Sequence, residues 1–285
     1  MLLAFIIGIF KMPNEITTRI KTRHRKFWSD PNAEKVRNTI TAPDDPIEKW
    51  RNVENWQRKL SNKLNSRNFA LAHNCRVPQL YWCGRNIKDI NFDAFPKNYV
   101  IRPTIGHSSK LVFLMKEGYN LFENKAYSTD ELKAVLQQAI DNNENLQFLI
   151  EEFLKDENGE QKILNDYKLF CFNGEIACVN IIDRFSPNTG TSTFYTEQWE
   201  LIPSVNKIYP SGSYTPPPKC FNEILAQAKE LSKSYKVFVR IDLYATDKGA
   251  VFGEFTPTPG MGGGFTKFGQ KLLISHWNKY CKGMI

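Results

Sequence analysis

Val237-Phe238-Val239-Arg240-Ile241-Asp242-Leu243-Tyr244-Ala245-Thr246, then Asp247-Lys248-Gly249, then Ala250-Val251-Phe252-Gly253-Glu254-Phe255-Thr256 reads as two strands folding back on a short turn. A three-residue turn ending in glycine is a common hairpin connection, with the glycine in the left-handed region. That turn predicts Thr246 opposite Ala250, and hence Asp242 opposite Glu254 and Arg240 opposite Thr256. Side chains directly opposite one another share a face, with Cβ atoms about 5 Å apart. Val239, Ile241 and Leu243 then point to the other face, toward a core. Two carboxylates facing each other repel unless a cation joins them. Two readings follow: a divalent cation, magnesium foremost, held with substrate phosphates, or an exposed strand face on which Arg240 neutralises both acids. Both depend on register, because a two-residue turn at Asp247-Lys248 would send Asp242 and Glu254 to opposite faces.

Working outward, the strands come in hairpins. Tyr167 to Phe172 and Glu175 to Ile182 flank Asn173-Gly174, a strong hairpin signal. Tyr99 to Pro103 and Leu111 to Met115 flank a Gly/Ser loop, and Phe148 to Leu154 is an apolar strand ending in charge. Ser128 with Glu131 forms a capping box for a helix to about Ile140. Phe221, Ile224, Leu225, Ala228 and Leu231 make an apolar helical stripe. Trp50, Val53, Trp56 and Leu60 predict one helix from Ile47 to Ala72, and Val77 to Trp82 predicts a short strand. Helices between hairpins predict an α+β fold with antiparallel sheets.

At 285 residues the chain can build one substantial core or two fused lobes. Its net charge of +8 is concentrated between Lys11 and Lys26, which hold six lysines and arginines against Glu15 alone. The rest is only mildly basic, which argues against a general nucleic-acid surface. The basic stretch reads as a solvated tail, and residues 11–45 as a whole as polar connection. Leu2 to Phe10 is apolar but shorter than the roughly 20 residues that span a bilayer. A surface membrane contact, a buried strand and an ill-chosen start all fit that run. The six cysteines show no C-x-x-C pair, so they read as reduced thiols of a cytoplasmic protein.

The other candidate site residues lie on the same strands and their ends. Arg102, followed by a loop with Ser108 and Ser109, offers a cation and hydroxyls suited to polyphosphate. No Walker A pattern is present. Glu151, Glu152 and Leu154 end a strand that can offer backbone groups to adenine and a carboxylate to ribose. Asp166 and Lys168 share one face of the next strand, and Asp183-Arg184 closes its partner. The Pro257 to Gly264 stretch leaves the hairpin as a glycine-rich loop able to approach a ligand.

These segments resemble the ATP-grasp superfamily in its TupA-like branch. The likeness rests on Tyr99-Val100-Ile101-Arg102-Pro103, Phe148 to Leu154, Asp166 to Gly174, Val239 to Tyr244 and Phe252 to Thr256, in order across roughly residues 60–275. Tyr195 to Trp199 also resembles the family's Tyr-Asp-x-x-Trp segment, with Thr196 in place of the acid. The resemblance implies an ATP-grasp fold of two α+β lobes enclosing ATP. It implies a carboxylate–amine ligase acting through an acyl phosphate, on a cell-surface saccharide or amino-acid substrate. Rival readings are a kinase of the same fold and a non-catalytic nucleotide-binding module. It divides the chain into an N-terminal segment (1–46), a substrate-side subdomain (47–98), a small lobe (99–155) and a large lobe (156–285). By the same resemblance Asp242, Glu254 and Thr256 hold magnesium, with Thr256 where an asparagine is common. Arg240 and Arg184 serve catalysis. Arg102, standing where a lysine is usual, binds nucleotide together with Ser108, Ser109, Glu151, Glu152, Leu154, Asp166 and Lys168.

Overall fold

Asn173 and Gly174 have φ of 52° and 95°, the paired positive values of a tight hairpin turn. They join β7 (Asp166–Phe172) to β8 (Glu175–Arg184), the centre of the larger of two lobes. The computed structural model describes residues 15–107, 109–186 and 189–282. The apolar run Leu2 to Phe10, and Ser108, lie outside them.

The large-lobe sheet adds β9 (Gly190–Tyr195), β10 (Leu201–Ile202), β11 (Val239–Thr246) and β12 (Gly249–Thr256), in the antiparallel order β10-β9-β8-β7-β11-β12. On one face Leu169, Val179, Val239, Ile241 and Leu243 are buried under α6 (Phe221–Tyr235), whose Ile224, Ala228 and Leu231 fill the same core. The other face is covered at one end by α1 (Glu15–Trp28) and α7 (Lys267–Tyr280), through Ile16, Ile20, Leu273 and Trp277 on Phe170, Phe172 and Phe238. Its remainder stays open and carries the polar side chains described below.

The smaller sheet comprises β1 (Leu80–Gly84), β2 (Asn98–Pro103), β3 (Phe113–Lys116), β4 (Tyr119–Asn120), β5 (Lys125–Ala126) and β6 (Phe148–Glu152), in the order β1-β6-β2-β3-β4-β5. Tyr99 and Ile101 alternate inward and pack under α5 (Thr129–Asp141) with Leu132, Leu136 and Ile140. The capping box is present: the Ser128 hydroxyl accepts from the Glu131 amide at 3.2 Å, and the Glu131 carboxylate accepts from the Ser128 amide at 2.8 Å. Ser128→Ala is expected to lower stability by about 1 kcal/mol, measured as a shift in the urea midpoint at constant slope. The expected α+β fold, two lobes each built on an antiparallel sheet, is what the structure contains.

Two local expectations are corrected. From Glu15 onward the basic stretch is not a solvated tail, its start at Lys11 lying outside the described residues: α1 and α2 (Ala33–Asn38) are helices. In α1, Ile16, Ile20, Arg23 and Phe27 form the buried stripe, with the Arg23 guanidinium 5.8 Å from the Phe238 ring and 5.7 Å from the Trp277 ring. An arginine in an apolar slot hid the period. The helix expected from Ile47 to Ala72 breaks into α3 (Ile47–Trp50), a 3-10 turn (Trp56–Ser61) and α4 (Lys63–Ala72). Asn55 takes a left-handed φ of 55°, and the Asn62 side chain caps α4 on the Leu64 amide at 3.0 Å. Residues 47–98 contribute to both lobes. Trp50, Trp56, Leu60 and Phe69 join the large-lobe core, whereas β1 pairs with β6 of the small sheet.

All six cysteines are free thiols. Among the described residues no helix is long and apolar enough to cross a membrane.

Candidate active site

Asp242 does face Glu254, and Arg240 faces Thr256, but not by the expected turn. Thr246 pairs with Gly249 and Ala245 with Ala250, so Asp247 and Lys248 alone form the connection. That register, continued, would have put Glu254 on the opposite face from Asp242. A bulge restores the phase: Leu243 pairs with Phe252, Asp242 with Glu254, and Gly253 is the extra residue between. A side chain there would be crowded, because a Cβ would lie 3.0 Å from the Asp242 carbonyl oxygen and 3.0 Å from the Tyr244 ring.

Cross-strand pairing then sets Asn180, Lys168, Asp242 and Glu254 in one row across β8, β7, β11 and β12. The row faces a cleft of about 860 Å³ between the two sheets. Asp242 is the buried hub. Arg240 donates to it through Nε at 2.6 Å and Nη2 at 2.7 Å, and Lys168 Nζ donates at 2.5 Å. Burial by itself would raise the Asp242 pKa, yet the Arg240 and Lys168 cations overcome it and hold the carboxyl below its ordinary value. Arg240 also donates to the Thr256 hydroxyl at 2.8 Å. Lys168 bridges onward to Asp166 at 3.5 Å, and Arg184 Nε donates to Asp166 at 3.1 Å. Glu254 is the least engaged acid, its side chain 35% exposed, with Arg240 at 3.6 Å and the Thr256 hydroxyl at 3.3 Å.

The small lobe supplies the opposite wall. Arg102 donates to Glu151 from Nε at 2.5 Å, and Arg67 lies 3.5 Å from the same carboxylate. Glu151 is therefore occupied by arginines rather than open to solvent. Arg102 Nη1 reaches the Gly253 carbonyl at 3.3 Å and Lys248 pairs with Glu152, so the lobes are tied beside the hairpin. Val100, Val112, Leu114, Phe153 and Leu154 give the cleft an apolar lining, with Ser109 and Lys110 at its edge.

Sequence reasoning missed three residues here. Lys63, at the start of α4, lines the cleft; burial lowers its pKa, Glu254 pulling it back and Arg102 adding to the fall. Arg67 was hidden in a segment read as an apolar helix. Tyr244 forms cleft wall next to the acids. Tyr195 and Trp199, by contrast, stack at 4.5 Å inside the large-lobe core and take no part in the cleft. In the glycine-rich loop Gly260 and Gly263 line the cleft. Gly262 serves packing, since a Cβ there would lie 2.9 Å from Thr17 Cα of α1.

The donor set bears on metal binding. Among the described residues no group of three or more His, Cys, Asp or Glu side chains converges as a self-sufficient metal cage. Magnesium is often held by one or two carboxylates plus substrate phosphates and water. Glu254, with open lone pairs facing the cleft, and Asp242 beside it suit that mode, and Arg240 and Lys168 keep Asp242 ionised.

The sequence profile of a family described as TupA-like ATPgrasp matches residues 47–273. In fold the chain is similar to D-alanine–D-alanine ligase from Bacillus anthracis in complex with ATP, at TM-score 0.50 and 16% identity over 78% of this chain and 65% of that one. VanG D-Ala:D-Ser ligase from Enterococcus faecalis matches at TM-score 0.49 and 16% identity, covering 78% of this chain and 63% of the other. The L-amino acid ligase from Bacillus licheniformis matches at TM-score 0.45 and 10% identity, covering 72% and 42%. The chain thus spans less than two thirds of the length of each. No curated protein matches the sequence.

Proposed function

The chain belongs to the TupA-like ATP-grasp family and has the ATP-grasp fold; from that premise we propose that it is an ATP- and magnesium-dependent carboxylate–amine ligase acting in the cytoplasm. The observation that carries the reading is the row Lys168, Asp242, Glu254 with Arg240 and Thr256 beside it, facing an apolar-lined wall that holds Arg102. The site combines fixed cations for phosphates with carboxylates for a divalent ion and a dry surface for a base.

In the proposed reaction the adenine lies on Val100, Leu114 and Leu154, and the backbone of 152–154 offers it hydrogen bonds. The Ser109 hydroxyl, at the edge of the cleft, sits over the phosphates. Lys63, Arg102 and Lys168 compensate the triphosphate charge. Glu151 keeps Arg102 fixed, and Glu152 lies near the ribose. Glu254 and Asp242, with the Thr256 hydroxyl beside them, would hold magnesium, which would supply charge stabilisation to the phosphates. A substrate carboxylate oxygen attacks the γ-phosphorus, the bond to the β-phosphate oxygen breaks, and ADP leaves with an acyl phosphate formed. Arg240, already rigid on Asp242, stabilises the charge on the transferring group, and Arg184, held by Asp166, orients the carboxylate. An amine then attacks the acyl carbon, phosphate departs, and the amine proton passes to solvent. A saccharide uronate or an amino acid suits the carboxylate.

Saturating Mg-ATP is expected to raise the melting midpoint by several degrees, since ligand at 100 times its Kd adds about 2.7 kcal/mol. No shift would overturn the nucleotide reading. ADP release that requires both a carboxylate and an amine, with amide among the products, distinguishes a ligase; a phosphorylated hydroxyl would identify a kinase instead.

A further inference from the structure

The cleft extends past the hairpin, along the Pro257 to Gly263 loop, to the first two helices and the 3-10 turn. His24, Trp28, Arg37 and Arg58 line that end, and none of the reaction steps above uses them. Three of them carry ring or guanidine nitrogens with no hydrogen-bond partner: His24 Nδ1, Arg37 Nε and Arg58 Nη2. Arg58 is only 5% exposed, and its guanidinium lies 5.5 Å from the Phe27 ring. Burial, with Arg23 adding its charge, lowers the Arg58 pKa to about 10. The Arg37 guanidinium lies 5.0 Å from the Trp28 ring, with Nη2 paired to Glu34 at 2.5 Å. Among the described residues no carboxylate pairs with Arg58; the nearby Glu54 is taken by Lys26 at 2.6 Å.

Buried guanidinium donors are ordinarily satisfied, and an uncompensated buried charge is destabilising. Basic side chains that line a cleft while keeping buried donors without an acceptor are an anion site in waiting, and arginine forks match carboxylate and phosphate geometry. We propose that Arg58, Arg37 and His24 form an oxyanion subsite for a second anionic group of the ligase substrate, distinct from the carboxylate that is activated. Trp28 packs on the body of the molecule that carries it. The substrate is therefore at least a dianion, bearing a second carboxylate or a phosphate. The inference rests on the ligase reading, because it takes the cleft as the substrate channel.

The test uses the full chain with its nucleotide site saturated by magnesium and a non-hydrolysable ATP analogue. Inorganic phosphate and succinate are titrated separately at constant ionic strength, and binding is followed by calorimetry. Wild type is expected to bind at least one of them; stronger phosphate binding indicates a phosphorylated substrate, stronger succinate binding a dicarboxylate. Arg58→Met and Arg37→Gln are each expected to weaken that binding at least tenfold while changing nucleotide affinity less than twofold. Should the buried Arg58 variant fail to fold, the more exposed Arg37 variant gives the same readout. No anion binding by wild type, or unchanged affinity in the variants, overturns the subsite. Failure of the ligase reading appears separately, as absent nucleotide binding or absent carboxylate- and amine-dependent ADP release.

Discussion

Asp242→Ala is expected to lower folding stability by about 3 kcal/mol and the melting midpoint by on the order of 10 °C. The carboxylate accepts from Arg240 twice and from Lys168 once. Removing it leaves two cations facing each other in a buried site, the costly way to break an ion network. Asp166 at 3.5 Å from Lys168 and Glu254 at 3.6 Å from Arg240 soften the loss without replacing it. The effect has a pH signature. Because Asp242's folded pKa lies below its ordinary value, its stabilisation is complete above the unfolded pKa of about 3.9 and fades as pH falls through the lower folded value. Wild type and variant should therefore differ fully at neutral pH and converge in strong acid. An unchanged midpoint at neutral pH would mean that the three side chains are not coupled.

Glu254→Gln is expected to do the reverse, leaving stability within about 0.5 kcal/mol while lowering turnover by about 100-fold or more. Glu254 is more exposed and only loosely engaged by Arg240 and Thr256, so its carboxylate contributes little to the fold. The exposed carboxylate oxygens are what the proposed magnesium site needs, and an amide keeps the shape without the charge. The measurement is steady-state ADP release beside a melting curve on the same preparation. Turnover within twofold of wild type would remove Glu254 from the metal site; in a non-catalytic module neither variant would alter any turnover.

Much of the fold was legible from local chemistry. The Asn173-Gly174 turn, the Ser128–Glu131 capping box and the α6 stripe each state their structure within a few residues, and each is present. α1 was not legible, because the helical period of Ile16, Ile20 and Phe27 is interrupted by Arg23. What makes that position tolerable is distant in sequence: the Phe238 and Trp277 rings, and the Pro257 carbonyl that accepts from Arg23 at 2.6 Å. Lys63, Arg67 and Arg58 escaped notice for the same reason, since basic residues in a helical stretch announce no site until another element encloses them.

The hairpin shows where the division lies. Alternation of apolar and polar residues, with the turn signal at Asp247 to Gly249, determined by itself that two strands pair and that Arg240 and Asp242 share a face. Sequence could not determine which residues of the second strand answer them, because side-chain direction has a period of two and a single unpaired residue inverts it. The shorter turn and the Gly253 bulge each shift the phase by one, and together they set Asp242 against Glu254. Only the tertiary structure decided that, through the close approach of Tyr244 and the Asp242 carbonyl to Gly253, and through β7, which holds Lys168 against Asp242 from the other side.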